Sequence, residues 1–301
     1  VKTVSVCGVH PPIPTPFEES GALALGRLAE NLSKWNETPL AGYVVLGSNG
    51  ESVHIKEEER ASIIAAARKA IPSDKLLIVG TGAHSTEVAT QRTKEAAELG
   101  ADVALVLTPH YYKAQMTAEA LRRHYLALAD ASTIPLLLYQ VPRFTGLELP
   151  VDTIIELAQH PNIVGIKDSA GNLGRLGEMI RRAPSGFSVL AGSGSFFYPA
   201  LTLGAAGGVL AVANVFPEEC CQIYRAVQEG RYPVARQLQL KIIPVNDAVT
   251  TRFGVPGLKA ALDLLDYYGG PPRAPLAYPS LQEVAEIQKV LHEAVSTSTA
   301  Y

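Results

Sequence analysis

A chain of 301 residues with 47% hydrophobic and 18% charged residues is long enough to bury a large core, and its net charge of −3 offers no basic field to nucleic acid or an anionic membrane. No apolar run reaches transmembrane length; the longest, such as 136–139, are strand-sized. Three cysteines, Cys7, Cys220 and Cys221, form no CxxC pair, which argues against a disulfide scaffold and for a reducing compartment. The N-terminus has no secretory signal pattern, so a cytoplasmic location is expected, or the mitochondrial matrix if a leader has been removed ahead of Val1.

In chain order, short runs of Val, Ile, Leu and Ala predict strands at 7–13, 42–46, 76–80, 102–108, 136–140, 163–167, 188–191 and 208–212. Each is apolar on nearly every position, as parallel strands buried on both faces require. Between them lie longer segments with helical spacing, among them 56–70, 85–99, 117–130 and 151–159. Ser85 before Thr86 and Glu87 marks one helix start, and Gly100 just after Leu99 marks its end. This alternation predicts an α/β fold, a closed (β/α)₈ TIM barrel over 1–216. Residues 217–301 read as a C-terminal helical extension that includes the last barrel helix, with helices at 218–229, 234–251, 257–265 and 281–294. An open doubly wound sheet is the alternative, but eight strands without a nucleotide fingerprint favour closure: Gly80-Thr81-Gly82 lacks a third glycine and an acidic partner.

In such a barrel the C-terminal strand ends form the chemical face. They carry 47-GSNGE-51, 109-PHYY-112, Tyr139, Lys167 and 192-GSG-194. Lys167 ends the apolar run 162-NIVGIK-167, where an amine held in a partly dry pocket suits attack on a carbonyl, whereas most lysines are solvated surface residues. Tyr139 follows three leucines and reads alone as a core aromatic; beside an imine-forming lysine it reads as a proton shuttle. Ser48 and Asn49, between two glycines, fit either an ordinary turn or backbone that approaches a carboxylate. Arg143 reads as a surface arginine or a partner for a second substrate carboxylate, and Tyr111 and Tyr112 as packing, a lid or a subunit contact. The seven histidines show neither HxH nor HExxH spacing, so no catalytic metal is expected. Gly192-Ser193-Gly194-Ser195 is not GxSxG, so a hydrolase triad is not supported.

The ordered set 47-GSNGE-51, 108-TPHYY-112, 139-YQVP-142, 165-GIKDS-169 and 190-LAGS-193 resembles the dihydrodipicolinate synthase and N-acetylneuraminate lyase family of class I, Schiff-base aldolases. The likeness runs from about Gly8 to the last helices and implies a TIM barrel with a helical extension, pyruvate as a substrate, no cofactor and a homotetramer. It implies Lys167 as the Schiff-base residue, Tyr139 as proton shuttle and Ser48 as relay hydroxyl. Asn49, Ser169 and Gly192 would line the substrate site, and Tyr111 would complete the relay, in a neighbouring subunit's site as happens in the family. Within the family, 152–169, 252–259 and 267–276 look most like the branch that cleaves 4-hydroxy-2-oxoglutarate to pyruvate and glyoxylate. Ser48-Asn49 stands where dihydrodipicolinate synthases have Thr-Thr, and Phe144 where they have arginine, with Arg143 one residue early. The loop 47-GSNGESVH-54 also resembles fungal 2-keto-3-deoxy sugar acid aldolases. A ligand-binding barrel without catalysis is the reading from another class; the presence of Lys167, Tyr139 and Ser48 together counts against it.

Overall fold

The computed structural model describes residues 4–296, so the expected outer bounds at 1–3 and 297–301 lie outside the described residues. The elements follow one another as β1 (Gly8–His10), α1 (Leu25–Asn36), β2 (Gly42–Val45), α2 (Glu57–Ala70), β3 (Leu76–Gly80), α3 (Thr86–Glu98), β4 (Val103–Leu107), α4 (Ala118–Ala131) and β5 (Leu136–Gln140). Then come α5 (Pro142–Thr145), α6 (Val151–Leu157), β6 (Ile163–Asp168), α7 (Leu173–Arg182), β7 (Ser188–Ala191), α8 (Phe197–Thr202) and β8 (Gly207–Val209). The extension consists of α9 (Pro217–Gln228), α10 (Tyr232–Asp247), α11 (Gly254–Asp263) and α12 (Leu281–Ser296).

The strands pair in parallel in the order β1-β8-β7-β6-β5-β4-β3-β2. The ring closes where β1 meets β2, through Ala41 N–H to Val9 O (3.0 Å), Val44 N–H to Pro11 O (2.9 Å) and Ile13 N–H to Val44 O (2.9 Å). Pro11 and Pro12 have no N–H to give, so this seam is a lone bridge, Pro12 to Val44, and the strand expected at 7–13 is only three residues long. This is the predicted TIM barrel.

Period-2 alternation sorts the core into two layers. Leu137 and Tyr139 point into the barrel with Val44, Ile78, Val103, Leu105, Leu190 and Val209, while Leu136 and Leu138 point out toward the helices. In the outer layer Trp35 is fully buried, stacks on Tyr267 at 5.1 Å and donates its indole N–H to Asn214 O (3.0 Å). Asn214 also explains why the last strand stops at Val209 rather than at 212. Its side-chain amide donates to Pro12 O (3.1 Å) and Ala211 O (2.9 Å), folding Ala211–Asn214 into a 3₁₀ turn. The helix expected over 234–251 ends at Asp247 and passes into a π-helical turn, Ala248–Arg252, a few residues after Pro244. A proline inside a helix removes one i to i−4 bond and loosens the turn around it. Among the described residues no helix is long and apolar enough to cross a membrane.

Two buried histidines tie the fold to pH. His10 donates from Nε2 to Val6 O (3.1 Å) and leaves Nδ1 unpartnered; His124 meets Thr86 Oγ1 through Nδ1 (2.9 Å) and leaves Nε2 unpartnered. Burial pushes each pKa down to about 4. The unfolded rings titrate near 6.5 and so bind protons first; the stability linked to each neutral ring is full above that pH and is lost as pH falls toward 4. Urea unfolding across this window should lose about 3 kcal/mol per ring. A flat profile between pH 6.5 and 4.5 would contradict the burial of these neutral rings.

Candidate active site

The turn after β2 is the most constrained part of the barrel mouth. Leu46 and Glu51 both hold left-handed backbone, with φ of 55° at each, a strained conformation that persists where surroundings over-determine it. Gly80 on the next strand makes room: a Cβ there would lie 2.0 Å from Leu46 O. Within the turn, Gly50 N–H and Ser52 N–H donate to Gly47 O, Glu51 N–H donates to Ser48 O, and Thr15 Oγ1 donates to Gly50 O (2.7 Å). Among the described residues the amides of Ser48 and Asn49 have no acceptor, so they are free to meet an anion.

Glu51 fastens this turn to the helical extension. Its buried carboxylate pairs with Lys259 Nζ at 2.9 Å, meets His54 Nδ1 at 3.1 Å and accepts Arg273 N–H at 2.9 Å. Lys259, wholly buried on α11, also donates to Thr15 O and Pro271 O (2.9 Å each) and lies 4.4 Å from the centre of the Phe17 ring. Burial pulls its pKa down, against the opposing pull of Glu51. Every donor of this ammonium is committed.

Lys167 is the contrasting case. It lies on β6 between Tyr139 and Leu190 in register, is 4% exposed, and points into the barrel. Its Nζ lies 4.1 Å from the centre of the Tyr139 ring, and among the described residues no hydrogen bond or ion pair engages it. Tyr139 on β5 is equally buried, and its hydroxyl is 3.4 Å from Ser48 Oγ. Thr108 pins this strand end by donating its N–H and its Oγ1 to Tyr139 O, both at 3.1 Å. Lys167, Tyr139, Ser48, Asn49, Ser169 and Arg143 all line one cavity of about 410 Å³. An uncommitted amine, a phenol and a second hydroxyl lining one cavity can form an imine and move protons about it.

Gly192 and Ser169 form the wall after β6 and β7. Gly192 N–H donates to Asp168 O (2.7 Å), Ser169 Oγ donates to Gly192 O (3.3 Å), and a Cβ on Gly192 would lie 2.0 Å from Ser169 Oγ. Arg143, on α5, reaches the same cavity and donates to Thr251 O (3.1 Å) on the π-helical turn. Phe144 lines it too.

Tyr111 does not line this cavity in the single chain. It is 73% exposed, edge-on to Tyr112 at 5.0 Å and to His84 at 6.0 Å. A separate cavity of about 530 Å³, with His84 and His110 in its wall, shares Ser48 and Tyr139 with the first. Among the described residues no group of three or more His, Cys, Asp or Glu side chains is placed to hold a metal ion.

Sequence reasoning missed Asn246, Thr250 and Thr251, which bring the extension into the cavity wall, and the Glu51–Lys259 pair beneath the turn. For Glu51, the acidic residue closing 47-GSNGE-51 was a usable signal. For Asn246 the local sequence offers none.

The profile of the dihydrodipicolinate synthetase family matches residues 5–294. A probable mitochondrial 4-hydroxy-2-oxoglutarate aldolase from Emericella nidulans is 37% identical over 295 residues, covering 96% of this chain and 95% of its own. A 4-hydroxy-tetrahydrodipicolinate synthase from an Exiguobacterium species is 34% identical over 286 residues, covering 95% and 97%. Among solved structures, a dihydrodipicolinate synthase from Bacillus anthracis superposes with a TM-score of 0.92 at 26% identity, over 96% of this chain and 98% of that one.

Proposed function

The chain belongs to the dihydrodipicolinate synthetase family of pyruvate-dependent class I aldolases, which are lyases, and from that premise we propose that it reversibly cleaves 4-hydroxy-2-oxoglutarate to pyruvate and glyoxylate through an imine on Lys167. The observation that carries this reading is the buried, uncommitted Lys167 amine beside Tyr139 in the shared cavity.

Lys167 adds to the C2 ketone, and loss of water gives a protonated imine that accepts the electron pair of the C3–C4 bond. Tyr139 takes the C4 hydroxyl proton as that bond breaks, and glyoxylate leaves. The enamine is then protonated at C3, and water hydrolyses the pyruvate imine to free the lysine. Ser48, 3.4 Å from the Tyr139 hydroxyl, passes the proton onward. The free amides of Ser48 and Asn49 hold the C1 carboxylate, which sets C2 beside the amine. Ser169 and Gly192 shape the wall beside it, and Arg143 stands at the mouth as a partner for the second carboxylate. No metal or organic cofactor enters this sequence.

The choice of substrate is supported by the 37% identity to the fungal aldolase, by Ser48-Asn49 in the turn, and by Phe144 where dihydrodipicolinate synthases carry arginine. Pyruvate release from 4-hydroxy-2-oxoglutarate should far exceed that from keto-deoxy sugar acids, and should exceed condensation of pyruvate with aspartate semialdehyde. The opposite ranking overturns the substrate. Borohydride with pyruvate should leave a reduced adduct on Lys167 by intact mass and peptide mapping; no adduct means a binding barrel without this chemistry. Tyr139→Phe should lower kcat by about 10²- to 10⁴-fold with a smaller change in KM. A variant within about threefold of wild type removes Tyr139 from the proton path.

As part of the same reading, the protein is a homotetramer in which Tyr111 enters a neighbour's relay. Exposed Val53, Tyr111 and Tyr112 support an interface on that side. Light scattering should count four chains.

A further inference from the structure

The loop after β7 is held by a side chain from the helical extension. Asn246, at the end of α10, is 2% exposed. Its Oδ1 accepts Gly194 N–H at 3.1 Å, and its Nδ2 donates to Ser193 Oγ at 3.3 Å. The orientation is forced: a backbone N–H can only donate, so the amide oxygen faces Gly194 and the amide nitrogen faces Ser193. Gln239 Nε2 donates to Gly194 O (2.7 Å) from the same helix, so Gly194 is held through both its N–H and its carbonyl.

Ser193 Oγ also receives Ser195 N–H at 3.3 Å. A hydroxyl has two acceptor positions and one proton to give, and both acceptor positions are now filled by N–H groups. The remaining proton points either to the cavity or to Ser195 Oγ, 3.0 Å away. In the second case the Ser195 hydroxyl, itself on the cavity wall, gives its own proton outward. Either way this loop offers the cavity a hydrogen-bond donor.

In the strand ring β7 is three places from β2, across the mouth from Ser48 and Asn49. On the aldolase reading, a substrate held by its C1 carboxylate at those amides, with C2 at Lys167 on β6, would have the loop after the neighbouring β7 in the same cavity wall as its aldehyde half. We propose that Ser193, oriented by Asn246, donates a hydrogen bond to an oxygen on the aldehyde half of the substrate, so that the site selects aldehydes bearing an acceptor such as a carboxylate; the assignment rests on the aldolase reading above. Ser193 then acts as a binding residue, and Asn246 as a positioning residue that acts through it.

The test uses the enzyme and four variants, three single and one double. Asn246→Asp keeps the acceptor for Gly194 N–H but replaces the donor by an oxygen, so the Ser193 hydroxyl must turn toward it. Ser193→Ala removes the hydroxyl. Each should lower kcat/KM for 4-hydroxy-2-oxoglutarate by about 10- to 100-fold, mainly through KM, the range for a hydrogen bond to a charged group. Borohydride trapping of pyruvate, which has no aldehyde half, should persist in both. Adding Ser193→Ala to Asn246→Asp should cost little more than the larger single effect, and Ser193→Thr, which keeps the hydroxyl, should recover most of the loss. Wild-type kcat/KM in Ser193→Ala with trapping intact overturns the proposal. Full additivity overturns the role of Asn246. Failure of the wild-type enzyme to trap pyruvate instead removes the aldolase reading itself. If Asn246→Asp does not fold, Ser193→Ala against Ser193→Thr decides.

Discussion

Lys167→Ala should lose aldolase activity by on the order of 10⁴-fold or more, because covalent catalysis has no substitute once its nucleophile is gone. The alternative amine would be Lys259, the other buried lysine among the described residues, but its Nζ is spent on Glu51, Thr15 O and Pro271 O behind the β2 turn. No imine can form there without breaking a buried ion pair. Pyruvate release followed through a coupled dehydrogenase checks the rate, intact mass after borohydride checks the adduct, and circular dichroism checks the fold. Lys167 makes no hydrogen bond or ion pair among the described residues, so the variant should remain folded. Residual activity within about tenfold of wild type would remove Lys167 from the chemistry.

Lys259→Met should have the largest effect on stability. It leaves the Glu51 carboxylate buried without its cation, a change that typically costs about 3–5 kcal/mol. For a chain of this size that is a fall in Tm of roughly 6–15 °C. Activity should fall as well, since the turn bearing Ser48 and Asn49 is held from beneath by Glu51. Glu51→Gln added to Lys259→Met removes the uncompensated charge while keeping the acceptor for Arg273 N–H, so the double variant should be more stable than Lys259→Met alone. Denaturant midpoints of the four proteins decide it. A loss below about 1 kcal/mol in Lys259→Met would mean that the pair is not the anchor described here.

The barrel was legible because strand period and strand termination are local properties. Leu136 to Gln140 and Ile163 to Asp168 are apolar on both faces and end in polar residues, which put Tyr139 and Lys167 at the mouth before any contact was known. Strand ends next to proline were read too long, because Pro11 and Pro12 fit the apolar pattern but cannot donate to a ladder. The two buried lysines were not separable in the sequence. Lys259 sits in 257-GLKAALD-263 with the spacing of an ordinary helix, and only its packing shows that three acceptors await it. Asn246 and Thr251 were invisible for a related reason. Their approach to the mouth depends on how α10 docks and on the π-helical turn, and a 3.6-residue period does not announce a local 4.4-residue turn. Arg143 reads in the sequence as a carboxylate partner or a surface arginine, and nothing local there points to the carbonyl of Thr251 that steadies it. Tyr111 lies on the predicted loop but faces outward in the single chain.

The bond between Glu51 and the extension sets a timetable for synthesis. The turn at 47–51 leaves the ribosome early, but Lys259 and the backbone N–H of Arg273 that secure its carboxylate emerge more than two hundred residues later. A nascent chain that has already formed most of its strands therefore leaves Glu51 with His54 alone, and the turn at 47–51 without its fastening to the extension. On the aldolase reading, the site is therefore completed in a late step rather than in proportion to the length made.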